Sequence, residues 1–415
     1  MTEYRFIEPL DVLYLRGNKL FDGAGAHGAA LMPPWPSLAA GALRSRMLAD
    51  AGADIAAFVR GVPLADSRLA EALGTPDQPG GFRVAVFTLA RRVGDAIDPC
   101  FPLPADAVVT DKELNDASYL TPTAVAGALR SSAAFAKLPI LRTAKPAKPI
   151  GGLWLNGAGW RAYLNGERLT SDHLLRTSEL WQTDPRLGIA LESGRGTVQT
   201  GMLYTAETVA LRRTGMLYTA ETVALRRTGR DAATGKDYHD VGLFVGVDGA
   251  DGLIPQDGLL RFGGDGRGAA VTPCSVLPPE PDWPRIEREQ RFRLILATPG
   301  LFERGWRLPG LDDDGVWRGP DGCTAKLVAA SVNRADVISG WDLAKWSHGK
   351  GGPKTAFRVA PTGSVYWFED FQGEAKKALG KLAADGFWTM SGYPDASRRA
   401  EGFNSLFIAA WSQAA

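Results

Sequence analysis

Cysteine is scarce: Cys100, Cys274 and Cys323 are the only three in 415 residues, far apart and without a CxxC pair. That excludes a disulfide framework and a zinc site of the usual spacing. Histidine is nearly as rare, with His27, His173, His239 and His348 scattered and no HExxH spacing. No GxSxG elbow and no Walker lysine occur, so no catalytic constellation, metal site or cofactor is expected. No run approaches the roughly 18 apolar residues of a membrane span. Residues 1–12 (MTEYRFIEPLDV) carry charges where a signal peptide needs an apolar stretch. The expectation is a soluble, cytoplasmic protein. Net charge is almost absent too: 47 Lys and Arg against 46 Asp and Glu give +1. This excludes an indiscriminate nucleic-acid coat, but a global sum leaves room for local basic stripes.

Apolar residues make up 45% of the chain, enough for a sizeable core, and the length suggests two or three domains. The 49 glycines and 27 prolines imply many turns and short strands rather than a helical bundle. The pattern predicts a strand over 5–15 with Pro9 at an edge or bulge, then a loop over 17–36. A helix over 38–51 follows, with Ser37 as N-cap and Gly52 at its end. Strands are expected at 82–93 and 152–164, a short helix over 171–181, and strands at 187–191, 202–213, 241–247 and 259–271. Residues 142–149 (RTAKPAKP) read as an exposed basic linker. The Pro-rich segment 277–284 separates a first domain, 1–276, from a second, 285–415. Strands at 291–298, 325–333, 359–368 and 406–411 and a helix over 373–384 fill the second. The recurrence of both signals in both halves points to α+β sandwiches, not a doubly wound parallel sheet.

Residues 201–214 read GMLYTAETVALRRT, and residues 215–228 repeat them identically. Two copies are too few for a solenoid, so the repeat reads as a slippage duplication, or a sequence artefact, in a tolerant loop. Fourteen is even, so either copy fits a strand with the same side chains facing inward.

Residues 23–28 (GAGAHG) match GxGxxG, yet Pro33 and Pro34 follow and no helix starts there, so the segment reads as a loop. Asp312-Asp313-Asp314-Gly315 lacks the distal Glu of a calcium loop and reads as a solvated acidic turn. The basic residues are distributed more tellingly. Residues 195–236 contain Arg195, Arg212, Arg213, Arg226, Arg227, Arg230 and Lys236 against three acids, a net +4. Residues 340–358 carry Lys345, Lys350, Lys354 and Arg358 against Asp342, a net +3, interleaved with Trp341, Trp346 and Phe357. Cations among aromatics suit single-stranded RNA. The remainder of the chain carries −6, consistent with one basic and one acidic or apolar surface. In the turn 261–268, Gly264 and Gly266 allow close approach of backbone amides to a phosphate and Arg267 adds charge. On the helix, Arg44 and Arg46 are about 200° apart, so both cannot face one ligand. Arg44 is favoured because Gly41 lies one turn earlier on its face. Arg16 and Lys19 lie near that helix start.

These pieces occur in a telling order. Ile7-Glu8-Pro9-Leu10-Asp11 leads to Arg16-Gly17, Pro33-Pro34-Trp35-Pro36-Ser37 and Gly41-Ala42-Leu43-Arg44. Arg186-Leu187-Gly188-Ile189, Gly201-Met202-Leu203-Tyr204-Thr205 and Gly263-Gly264-Asp265-Gly266-Arg267 follow. Ser339-Gly340-Trp341-Asp342, Pro361-Thr362-Gly363-Ser364-Val365-Tyr366 and Gly402-Phe403 complete the series. The series resembles the third-subunit family of the Cmr complex, repeat-associated mysterious proteins (RAMPs) of type III-B CRISPR systems. The resemblance implies two ferredoxin-like, RRM-related domains with β-hairpin insertions and Gly-rich loops, and no catalytic role. It implies that the chain holds the 5′ handle of CRISPR RNA. It further implies docking of the large polymerase/cyclase-like subunit and a backbone RAMP subunit. By the same resemblance, residues 41–44 and 263–268 line the RNA face, and Arg186-Leu187-Gly188 opens a thumb-like hairpin that contains the tandem 14-mer. The family pattern has one copy, and Asn404 stands where a third glycine-motif residue is typical. Alternatives from the same superfamily are an endoribonuclease using His27 or His348 as general base, and the equivalent subunit of another type III subtype.

Overall fold

The computed structural model describes residues 2–15, 27–28, 30–115, 117–124, 135–143, 147–191, 194–195, 197–211, 239–264, 266–276, 279–344 and 351–411. The architecture is mixed, mostly sheet with few helices. Its first part contains β1 (Glu3–Pro9), α1 (Ser37–Asp50), β2 (Arg83–Val93), β3 (Ala96–Pro102), β4 (Leu153–Leu155), α2 (Gly157–Asn165) and β5 (Leu174–Arg176). It continues through β6 (Trp181–Leu191), β7 (Val198–Leu211), β8 (Asp240–Asp248), β9 (Leu259–Arg261) and β10 (Gly268–Pro273). An eight-stranded sheet runs β5-β4-β3-β2-β8-β1-β10-β9. β8 is central and buried along its length. Val241, Leu243, Val245 and Val247 alternate onto the face that packs under α1. Gly242 on the other face leaves room for Phe6, whose ring a Cβ there would meet at 2.6 Å.

β6 and β7 form a separate antiparallel hairpin, in one register from Trp181↔Leu211 to Ile189↔Leu203 and shifted at Leu191↔Val198. The first copy of the tandem 14-mer supplies β7 through Leu211. Its Thr208 and Val209 are buried, and Val209 exchanges backbone hydrogen bonds with Leu13 at 2.7 and 2.8 Å. The second copy lies outside the described residues.

The second part comprises β11 (Phe292–Leu296), β12 (Val316–Arg318), β13 (Thr324–Ser331), β14 (Val365–Gln372), α3 (Ala375–Asp385) and β15 (Leu406–Ala410). Its five-stranded sheet runs β12-β13-β14-β11-β15. One apolar cluster crosses between the parts: Phe101, Leu155, Trp160 and Tyr163 pack with Ile295, Val365, Trp367 and Trp411.

Several elements differ from the sequence expectation. Pro36, not Ser37, occupies the α1 cap position, and no side chain caps the helix. Only 153–155 of the expected strand 152–164 is strand. Asn156 then caps α2 by accepting from the Gly159 N–H at 2.8 Å, and Gly166 closes it in the left-handed region. β1 ends at Pro9 rather than reaching 15. Short helices at Ile55–Val59, Ser67–Leu73 and Trp283–Glu289 were not anticipated. The expected helix over 171–181 is a 3-10 turn, the strand β5 and a four-residue helix, Thr177–Leu180. No described helix is long and apolar enough to cross a membrane.

Candidate nucleic-acid interface

α1 has two faces. Ala39, Leu43, Met47 and Leu48 are buried in the core under the large sheet, while Ser37, Gly41, Arg44 and Ser45 form the helical stripe on the opposite side. That stripe borders an open cleft of about 1220 Å3. The turn after β9 contributes Gly263, Gly264 and Arg267, and the second part contributes Ser339, Trp341, Asp342, Lys354 and Glu401. Five of the sequence-predicted residues therefore converge: Gly41, Arg44, Gly264, Arg267 and Lys354. Trp341 is 58% exposed beside them.

The far wall is held by a residue the sequence reading missed. Arg398 is fully buried in the 3-10 turn Ala396–Glu401. It donates to the carbonyls of Ser339 at 3.2 Å and Thr355 at 2.9 Å, and pairs with Asp395 at 3.3 Å. Lys354 is fixed on this wall by its N–H to the Gly340 carbonyl at 2.9 Å. Its ammonium donates to Glu401.

Arg44 differs from the other cleft cations. Arg267 pairs with Asp11 at 2.7 Å. Arg44 makes no hydrogen bond or ion pair within 4 Å among the described residues. Burial pulls its guanidinium below the ordinary arginine range, and Glu401 draws it partly back.

The remaining predicted residues are placed as follows. Arg46 faces away, bound to Asp50 at 2.5 Å and to the Leu259 carbonyl at 2.6 Å. Arg195 is exposed at the tip of the β6–β7 hairpin, away from the cleft. Gly266 has open space where a Cβ would sit but does not border the cleft. Arg16, Lys19, Arg212, Arg213, Arg226, Arg227 and Lys350 lie outside the described residues, as do His348 and the His27 side chain.

Among the glycines of the 261–268 turn, Gly264 packs against the segment after β1. The Gly264 N–H donates to the Tyr14 carbonyl at 2.8 Å, and a Cβ on Gly264 would meet the Tyr14 ring at 2.9 Å. This amide is committed within the chain, so Gly264 permits close packing of the segment after β1 rather than offering its amide to a phosphate. Asn404 also has an internal role. It takes a left-handed φ of +67°, is fully buried, and accepts from the Leu301 N–H at 2.6 Å. Gly402 lies against β2, where a Cβ would meet Val84 at 2.8 Å. The acidic turn pairs Asp313 with Arg304 and Arg307, and no metal-binding cluster occurs among the described residues.

Residues 5–411 match the family model described as CRISPR-associated protein (Cas_Cmr3). A comparison with curated proteins finds no match. Two solved structures are similar at low identity. A chain of the type III-B Cmr-beta complex bound to cognate target RNA and AMPPnP, state 1, is 14% identical, with 88% of this chain and 86% of that one covered and a TM-score of 0.40. A chain of Cmr-beta bound to cognate target RNA is 13% identical, with the same coverages and a TM-score of 0.38.

Proposed function

The chain belongs to the Cas_Cmr3 family of CRISPR-associated proteins, and on that premise we propose that it is a non-catalytic, RNA-binding scaffold of a type III-B Cmr effector. It holds the 5′ handle of CRISPR RNA in the cleft between α1 and the 339–355 wall. It also docks the large polymerase/cyclase-like subunit and a backbone RAMP subunit. The β6–β7 hairpin acts as a thumb over the RNA.

Strand order supports the architecture this role needs. β10-β1-β8-β2 is the antiparallel order of a split βαβ, with α1 after its first strand and the 249–258 loop in place of a second helix. β15-β11-β14-β13 has the same order, with α3 before the last strand. Two ferredoxin-like units, 1–276 and 285–415, are the reading we draw from this.

The observation that carries the function is the convergence of Arg44, Arg267 and Lys354 on one cleft beside the exposed indole of Trp341. Cations meet phosphates and fix register, while an indole face stacks an unpaired base. The test is binding of CRISPR RNA carrying its handle to the purified protein. Arg44→Glu is expected to weaken binding about tenfold or more, since it replaces a phosphate attraction by a repulsion. Equal binding of a scrambled RNA, with no effect of Arg44→Glu, would overturn the reading.

A further inference from the structure

Glu401 is an acid in a cleft read as a site for a polyanion. The residue is buried, with its side chain 11% exposed, and one oxygen accepts from the Lys354 ammonium. The other oxygen, Oε2, has no hydrogen-bond partner, and Arg398 Nη1 is 3.8 Å from it. Arg44, on the facing helix, feels Glu401 as its opposing charge. A carboxylate kept purely for structure would be saturated with donors, because an unsatisfied buried acceptor costs stability. Glu401 instead has one strong partner, a part-exposed lysine, and its charge is felt by a second cation, Arg44, that makes no hydrogen bond or ion pair among the described residues.

We infer that Glu401 holds the place of a ligand anion. In the free protein it neutralises the cleft cations that a phosphate group meets in the complex. Binding exchanges the Lys354–Glu401 pair for a Lys354–phosphate pair and brings the same phosphate to Arg44. This rests on the reading of the cleft as an RNA site and adds a selectivity device to it. Arg267, held by Asp11, is neutralised in the same manner. A passing polyanion therefore gains little from charge alone, and a bound RNA must offer stacking or base-edge contacts as well. The device suits a chain whose overall charge is +1.

The experiment uses the full-length chain and a synthetic handle RNA, with affinity measured by fluorescence anisotropy over a series of salt concentrations. Glu401→Gln, which keeps the volume and removes the charge, is expected to tighten binding about fivefold to tenfold. It should also steepen the salt dependence by about one ion, since one more cation is free to release counterions. In a Lys354→Ala background the gain should vanish. A merely structural Glu401 would move neither the salt slope nor the coupling to Lys354. Weaker or unchanged binding by Glu401→Gln overturns the inference, and so does a failure of this variant to fold, which would show the charge to be structural. If the unaltered protein does not bind handle RNA and Arg44→Glu changes nothing, the reading of the cleft itself fails. If Arg44→Glu weakens binding while Glu401→Gln does not tighten it, only the placeholder role falls.

Discussion

Gly41 lies inside α1, where glycine costs roughly 0.5–1 kcal/mol relative to alanine. A Cβ built there meets nothing within 4 Å, so no packing among the described residues requires its absence. The position borders the cleft beside Arg44, and close approach of a ligand backbone is the reason that remains. Gly41→Ala should therefore raise stability by about 0.5–1 kcal/mol in urea denaturation while weakening handle RNA several-fold. Stability gained with binding unchanged would sink this account. The helical geometry that separates Arg44 from Arg46 was legible in the sequence because 100° per residue needs no tertiary information. Glu401 was not legible. It sits in a short 3-10 turn with no amphipathic period, and its partner Lys354 is brought to it only by tertiary folding. Arg398 escaped for the same reason, since its acceptors are backbone carbonyls of a distant loop.

Among the elements, β7 shows where identity of sequence defeats reading by pattern. An even repeat gives both copies the same inward face, so nothing in residues 201–228 distinguishes them. The fold assigns the first copy to β7, locked by Val209 against Leu13. Removing 14 residues by deleting 215–228 leaves that strand and its pairing intact and roughly halves the 212–239 connection. Halving a loop changes closure entropy by only about 0.6 kcal/mol. The shortened chain is thus expected to melt within a few degrees of the parent. A drop of ten degrees or more would show that the second copy carries packing of its own. The strand expected over 152–164 failed for a different reason. Its apolar residues do not alternate, and the end signals Asn156 and Gly166 outweigh its apparent strand character. The glycines near 264 were recognised, but the Tyr14 backbone that demands close approach comes from far away in the chain.

At the scale of the whole molecule, the Pro-rich segment 277–284 is visible in the sequence, while the seam that joins the two parts is not. Arg293 of β11 reaches across to Asp106 at 2.9 Å and to the Tyr163 carbonyl at 2.5 Å, and its guanidinium stacks on the Tyr163 ring at 4.2 Å. Tyr163 Oη donates to the other Asp106 oxygen at 2.7 Å. Burial pushes the Asp106 carboxyl up, and Arg293 and Tyr163 offset only part of that rise. Arg83 makes a second crossing, from β2 to the Ala384 carbonyl at the end of α3, at 2.6 Å. The apolar cluster around Trp160 and Trp367 contains residues of both parts, so neither part completes its core alone. The cleft depends on this seam, since α1 and Lys354 belong to different parts. Arg293→Met would leave Asp106 buried without its cation, a loss of about 3–5 kcal/mol. Because the damage lies on the shared core, that loss should appear in one cooperative urea transition, with tryptophan fluorescence and circular dichroism coinciding. Two separated transitions, with only one displaced by Arg293→Met, would show that the parts fold independently and that the cleft walls are free to move against each other.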